Sequence, residues 1–157
     1  MALPVALLAV VAAGCGRGVE VEKVLKVTDV RSGWYDAGVQ ADGKNKLVPS
    51  ISIKLENVSS EPIANVQIMA VFHRVNEEEA WGEHYVRAIG SDKLAPGATS
   101  DDIVLRARLG YTGTDSRVSM LRNSEFIDVT VNVFAKHGPR NYVRLAHREI
   151  DRELLTR

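Results

Sequence analysis

The residues that could carry chemistry are few and widely spaced. The four histidines are His73, His84, His137 and His147. None has the spacing of a metal ligand with another histidine or with the single cysteine. The sequence contains no Gly-x-Ser-x-Gly elbow, no phosphate-binding loop and no His-Glu-x-x-His motif. We therefore expect no catalytic residue, no bound metal and no cofactor, and an unrecognised hydrolase is the least favoured hypothesis.

A run of three glutamates at residues 77–79 is the only dense acidic segment. A calcium loop needs further carboxylates at fixed spacing around a tight glycine turn, and that spacing does not occur here. The run therefore predicts a solvated hairpin tip.

Four aromatic residues are candidates for ligand or partner contact. Trp34 and Tyr35 follow Gly33 in a polar connection, Trp81 follows the acidic run, and Tyr111 lies in the segment Leu-Gly-Tyr-Thr-Gly. Aromatic residues in loops at the ends of a sandwich often supply binding surfaces. They also often cover the ends of sandwich cores. Both interpretations stay open, and residues 34–45, 77–81 and 110–117 are the candidate binding loops.

The first fourteen residues, MALPVALLAVVAAG, contain no charge. They are too few to span a bilayer, which takes about 20 apolar residues, but they match the apolar region of a secretory signal. The segment Ala12-Ala13-Gly14-Cys15 resembles the lipobox of bacterial lipoproteins, in which the cysteine is diacylated and becomes the mature N-terminus. The other two hypotheses are cleavage without a lipid and a buried strand in which the cysteine is merely small and apolar.

The lipobox resemblance implies a signal peptide over residues 1–14, a lipid on Cys15 and a short tether over residues 15–18. It also implies a protein of the cell envelope that is anchored to a membrane, at the outer membrane or facing the periplasm if the host is Gram-negative.

The composition fits one soluble domain after this leader. The chain has 157 residues, of which 45% are apolar and 25% charged, as in ordinary globular domains. Lysine and arginine total 20, and aspartate and glutamate also total 20. Because this balance gives no net field to attract a polyanion, we expect no nucleic-acid partner.

From residue 19 onward the hydrophobic pattern has a period of two, which is typical of strands. The predicted strands cover residues 19–30, 46–57, 63–75, 82–90, 103–109, 126–136 and 142–150. Turn signals such as Asp42-Gly43 separate them, and only residues 115–123 could form a helical turn. The expected core residues are Ile53, Ile68, Phe72, Leu105, Val131 and Val133. The pattern predicts an all-β, immunoglobulin-like antiparallel β-sandwich of about seven strands over residues 19–157.

A second resemblance lies within this domain. Residues 55–63 (LENVSSEPI), then Val66 and Phe72, then residues 94–97 (LAPG) resemble the pattern of FxLYD-type and related immunoglobulin-like domains of bacterial envelope proteins. The resemblance implies the sandwich fold and little about activity. Asn57 in this pattern is expected to bond to its neighbouring backbone and hold a turn.

These observations favour a non-enzymatic envelope lipoprotein that acts through contact with an envelope protein or as a subunit of an assembly. The alternative is a small-molecule or glycan binding module that uses the loops of Trp34, Trp81 and Tyr111. A concave, polar-lined pocket beside clustered exposed aromatics would favour the alternative. A flat patch or an unpaired apolar edge strand would favour protein contact.

Overall fold

The computed structural model describes residues 19–155. Residues 1–18, with the expected signal peptide, the tether and Cys15, lie outside the described residues. Within residues 19–155 no helix is long and apolar enough to cross a membrane. The structure therefore describes the domain that is expected after the tether.

Residues 19–155 form nine strands and two short helices. In chain order these are α1 (Val21–Val24), β1 (Leu25–Val39), β2 (Asn45–Asn57), β3 (Val66–Arg74), β4 (Gly82–Ile89), β5 (Ile103–Arg106), β6 (Tyr111–Gly113), α2 (Arg117–Arg122), β7 (Val129–His137), β8 (Val143–Glu149) and β9 (Leu154–Leu155). Helix α2 is the expected helical turn, and its N-cap is Ser116, whose Oγ accepts a hydrogen bond from the Ser119 N–H at 3.2 Å.

The strands form two sheets. The first has the order β5-β2-β1-β9, with β6 also paired to β2, and the second has the order β4-β3-β7-β8. All pairs are antiparallel except β1 with β9. If β1, β2, β3, β5, β7 and β8 are counted as immunoglobulin strands A, B, C, E, F and G, then A, B and E share one sheet and C, F and G share the other. The predicted all-β, immunoglobulin-like sandwich is confirmed.

The core lies between the two sheets, because every second side chain of β2, β3 and β7 points inward. The six residues expected there are all fully buried or nearly so: Ile53, Ile68, Phe72, Leu105, Val131 and Val133. Burial of each such side chain contributes about 1.5–3 kcal/mol. Strand β3 pairs with both β4 and β7, so it lies in the middle of its sheet.

The prediction for the first strand was wrong at both ends. Residues 21–24 form the helical turn α1, and β1 runs on to Val39 instead of ending near residue 30. The register shifts between Thr28 and Arg31, and Asp29 has a φ of 49°. Such a bulge adds an unpaired residue and lets the strand continue through polar residues that resemble a loop. Consequently Trp34 and Tyr35 lie on β1 and not in a connection.

Candidate functional site

Three of the four predicted aromatic residues come together with Phe126 between the sheets. The ring centroids of Trp34 and Phe126 are 4.6 Å apart in an edge-to-face arrangement, and those of Trp34 and Tyr111 are 5.6 Å apart. Trp81 and Tyr111 are 5.0 Å apart, and Tyr111 and Phe126 are 4.6 Å apart. We call Trp34, Trp81, Tyr111 and Phe126 the aromatic cluster.

The aromatic cluster has a buried base and a half-buried outer layer. Trp34 is 0% exposed and Phe126 is buried, whereas Trp81 and Tyr111 reach the surface. The two interpretations from the sequence, a core cover and a binding surface, therefore apply to different residues. Trp34 cannot contact a ligand without unfolding of the core, and its assignment to a binding loop was wrong. Trp81 and Tyr111 cover the core and also present part of each ring to solvent.

Backbone contacts fix the two half-buried rings. The Trp81 N–H donates to the Phe72 carbonyl at 2.7 Å, and the Tyr111 hydroxyl donates to the Ile127 carbonyl at 3.1 Å. The start of β6 lies very close to β2. A Cβ at Gly110, just before β6, would lie 2.1 Å from the Leu47 carbonyl oxygen. Only glycine allows this approach, and it brings Tyr111 next to the core.

Two arginines lie against the cluster. The Arg74 guanidinium is 5.6 Å from the Trp81 ring and pairs with Glu77 at 2.7 Å. The Arg152 guanidinium is 5.1 Å from the Phe126 ring and makes a bidentate pair with Asp128 at 2.6 and 3.1 Å. The hydrogen bonds that Arg152 donates to the Asp128 carboxylate raise the pKa of Arg152. Burial raises the pKa of the Tyr111 phenol.

Tyr35 is separate from this cluster. It lies half-buried on β1, and the Arg106 guanidinium lies 3.6 Å from its ring centroid on the outer face of the first sheet. Arginine thus occupies one face of the ring. The structure does not bring Tyr35 together with the other three predicted residues.

A group of exposed apolar residues that the sequence analysis did not single out lies beside the cluster. Leu109 is 53% exposed and lies two residues before Tyr111, and Ile127 is 39% exposed. A Cβ at Gly82 would lie 3.1 Å from Ala107, so the segment before Leu109 runs beside Trp81 and Gly82. We call Trp81, Leu109, Tyr111 and Ile127 the distal surface. The alternation predicted Leu109 and Ile127 inside the strands at residues 103–109 and 126–136, but β5 ends at Arg106 and β7 begins at Val129, so both residues lie outside strands and are exposed.

The distal surface and the chain entrance lie at opposite ends of the sandwich. At the entrance, which we call the proximal end, the Val19 N–H donates to His137 Nδ1 at 3.4 Å, and α1 leads directly into β1. Strands β1 and β3 run towards the other end of the sandwich, and β7 starts from it. This end therefore holds the hairpin at residues 40–44 and the candidate loops at residues 77–81 and 110–117.

One small cavity opens beside the cluster. Its volume is about 140 Å³, and it is lined by Tyr111, Gly113, Met120, Asn123 and Phe126, among others. Pockets for small-molecule ligands are usually about 300–1,000 Å³. Among residues 19–155 no group of three histidine, cysteine, aspartate or glutamate side chains could hold a metal ion.

Three histidines make hydrogen bonds within the described part of the chain. His84 Nδ1 accepts from the Arg106 N–H at 2.9 Å, and His147 Nδ1 lies 3.0 Å from Asn132 Oδ1. His137 accepts from the Val19 N–H as described above, and His73 is half-buried on β3. Of the acidic run, Glu78 and Glu79 are exposed, as expected for a solvated tip.

Comparisons with known proteins add little to this description. No protein-family model and no curated protein matches the chain. The chain is similar to the crystal structure of a protein from Archaeoglobus fulgidus, with 14% identity, a TM-score of 0.41, and coverage of 79% of this chain and 94% of that chain. It is also similar to the ligand binding region of serine-glutamate repeat protein A (SgrA) of Enterococcus faecium, with 16% identity, a TM-score of 0.28, and coverage of 74% and 90%. Both TM-scores are below 0.5, so neither similarity carries an argument.

Proposed function

We propose that this chain is a non-enzymatic envelope lipoprotein. In this proposal a lipid on Cys15 anchors it to a membrane, and the distal surface of its sandwich binds an envelope protein. The lipobox resemblance supports the anchor, and the distal surface supports the protein contact. The proposal assigns no catalytic role to any residue.

The single observation that carries the proposal is the placement of the distal surface at the end opposite the chain entrance. Tyr111 pairs with Leu47, and Leu47 pairs with Asp36, which lies eleven positions after Leu25. At about 3.3 Å per residue, Asp36 and the paired Tyr111 therefore lie roughly 35 Å from the start of β1 along the strand. A chain anchored at Cys15 has only a short tether before Val19, so the domain would stand on the membrane with the distal surface outermost.

The chemistry of the distal surface suits a protein better than a sugar or another small molecule. Tyrosine and tryptophan are enriched at the centres of protein interfaces, and Leu109 and Ile127 add apolar area around the two rings. The adjacent cavity, at about 140 Å³, is smaller than usual ligand pockets. This cavity therefore supports the alternative of a small-molecule or glycan binding module less well, whereas an open depression of about 660 Å³ beside Arg74 and Glu77 has the usual size for such a ligand.

The anchor is tested by substitution of the acylated residue. With Cys15→Ser, the full chain should move from the detergent phase to the aqueous phase in phase partitioning and should keep its leader, because the thiol that accepts the lipid is gone. A Cys15→Ser chain that still enters the detergent phase and still loses its leader would overturn the lipoprotein proposal.

The binding surface is tested by capture of the partner from envelope extracts. The full chain with Leu109→Ser and Ile127→Ser should recover the partner roughly tenfold less well than the parent chain, since loss of an interface anchor costs 1 kcal/mol or more. Val58→Ser is the matched control, because Val58 is 52% exposed at the proximal end. Equal loss with the control, or no loss with the distal variants, would exclude the distal surface.

A further inference from the structure

The outer face of the second sheet carries a group of apolar and aromatic residues among polar ones. On β3, Met69 and Val71 point outward, and on β7 the outward residue Phe134 interrupts a polar series. Solvent-facing positions of antiparallel sheets are usually polar. Tyr85 of β4 and Tyr142, just before β8, complete the group. We call Met69, Val71, Tyr85, Phe134 and Tyr142 the sheet patch.

The strand register joins these residues into one surface. Met69 pairs with Tyr85 on one side and with Phe134 on the other, and Phe134 pairs with Arg144. The Tyr85 and Tyr142 rings meet with centroids 6.5 Å apart at 66°, and Tyr85 is 54% exposed. The sheet patch therefore presents aromatic and sulfur groups, with Arg144 at its edge, and these residue types are enriched in protein interfaces.

The face also carries charges, among them Arg87, Lys136 and Glu149. Two of its unpaired charges, Glu83 and Arg144, stand at its opposite edges. Glu83 lies on β4, where its Oε2 accepts from the Tyr85 hydroxyl at 2.7 Å, and Arg144 lies on β8. Neither has an ion-pair partner among residues 19–155. Strands β4 and β8 are three positions apart in the sheet, about 14 Å, so the two charges cannot meet within one chain.

We propose that the sheet patch binds a second copy of this chain. A two-fold axis parallel to the strands, between β3 and β7, lays β4 of one copy on β8 of the other. Arg144 of the second copy is then level with the Tyr85 ring, on which it gains a cation–π contact, and it reaches the Glu83 carboxylate at the Tyr85 hydroxyl. His147 of the second copy is level with Glu83. The same axis places Met69 against Phe134. Because the interface is isologous, every one of these contacts occurs twice.

The direction of the axis rests on the proposed membrane anchor. An axis parallel to the strands keeps both chain entrances at the same end, so both lipids can enter one leaflet. It also leaves both distal surfaces free and facing away from the membrane. A two-fold axis across the strands would direct one of the two entrances away from the membrane.

The size of the face predicts a weak dimer that depends on anchoring. Four strands of seven to nine residues cover about 20 Å by 25 Å, which is about 500 Å² per copy. The resulting total of about 1,000 Å² lies at the lower limit for specific interfaces. Confinement of both copies to one membrane raises their effective concentration and compensates for the small area.

The test uses the full anchored chain in membranes of expressing cells. A cysteine is introduced with Val71→Cys near the axis and cross-linked with a short bis-maleimide, and peptide mapping identifies the joined residues. We expect a dimer joined through position 71. Glu83→Arg or Arg144→Glu alone should reduce its yield about tenfold, and the double variant should restore it, because the exchanged charges attract again.

Two controls separate this proposal from the others. Arg31→Glu reverses a charge on the outer face of the first sheet and should leave the yield unchanged. In the chain without an added cysteine, Cys15 is the only residue that the reagent can join. A cross-link in that chain would show a free thiol on Cys15 and contradict the lipid. The dimer would still be measured separately, because peptide mapping identifies links through position 71. Absence of the position-71 dimer, an adduct with another protein in its place, or failure of the double variant to restore the yield would overturn the dimer.

Discussion

Asn57 is the buried polar residue with the most complete set of hydrogen bonds. It is 0% exposed at the end of β2. Its Nδ2 donates to the carbonyls of Glu61 and Leu94 at 2.8 and 2.9 Å, and its Oδ1 accepts from the Ser59 N–H at 3.0 Å and the Ser59 hydroxyl at 2.7 Å. One side chain thus joins the turn after β2 to the segment near Leu94. Of these contacts, the sequence predicted only those with the neighbouring backbone of the turn.

Removal of this amide should be costly. Asn57→Ala leaves two carbonyls and one N–H without their partner, so the free energy of unfolding should fall by about 2–4 kcal/mol. Asn57→Asp, which has nearly the same shape, keeps the acceptor but loses both donors and should cost at least as much at neutral pH. Chemical denaturation of the three chains measures both losses.

Asn141→Ala is the matched control, because Asn141 is exposed at the β7–β8 turn. Its effect should be within about 0.5 kcal/mol. If Asn57→Ala and Asn141→Ala have the same stability, the structural role given to Asn57 is wrong.

At the scale of elements, the C-terminal segment depends on one glycine in β1. Strand β9 pairs in parallel with Trp34 and Tyr35, and the Trp34 N–H donates to the Glu153 carbonyl at 2.7 Å. A Cβ at Gly33 would lie 2.8 Å from that carbonyl oxygen and 2.8 Å from Leu155 Cδ2. Residues 153–155 can therefore lie against β1 only because residue 33 has no side chain.

Gly33→Ala should displace β9 from β1 without unfolding the sandwich. The expected cost is about 1–3 kcal/mol, as for overpacking. Hydrogen exchange should show faster exchange of the Trp34 amide and unchanged protection in β3 and β7. Gly90→Ala, where a Cβ meets nothing within 4 Å, should change neither stability nor exchange. Unchanged protection of the Trp34 amide in Gly33→Ala would contradict the pairing of β9.

The elements differ in how well the sequence predicted them, and the reasons are physical. Strands β3 and β7, and β2 from Ile51 onward, each bury one face, so their burial alternates and the strands were predicted well. Strand β1 continues through a bulge and the small residues Ser32 and Gly33, where alternation is lost. Strands β6 and β9 have three and two residues, which is too short to show any period.

At the scale of the whole molecule, the sequence suggested the aromatic residues but not their arrangement. Trp34, Trp81 and Tyr111 come from different strands and loops, and only the order of strands in the two sheets brings them together. The buried state of Trp34 and the exposure of Leu109 and Ile127 follow from that order. No local pattern could have separated the core residue from the surface residues.

The two ends of the molecule have different roles in this account, the proximal end for the anchor and the distal surface for the partner. Site-specific photo-cross-linking in intact membranes compares them directly. A photoreactive phenylalanine analogue replaces Leu109 at the distal surface or Val58 at the proximal end, two residues of nearly equal exposure. The account predicts a discrete adduct with another envelope protein from position 109 and none from position 58. The same adduct from both positions, or an adduct from position 58 alone, would contradict it.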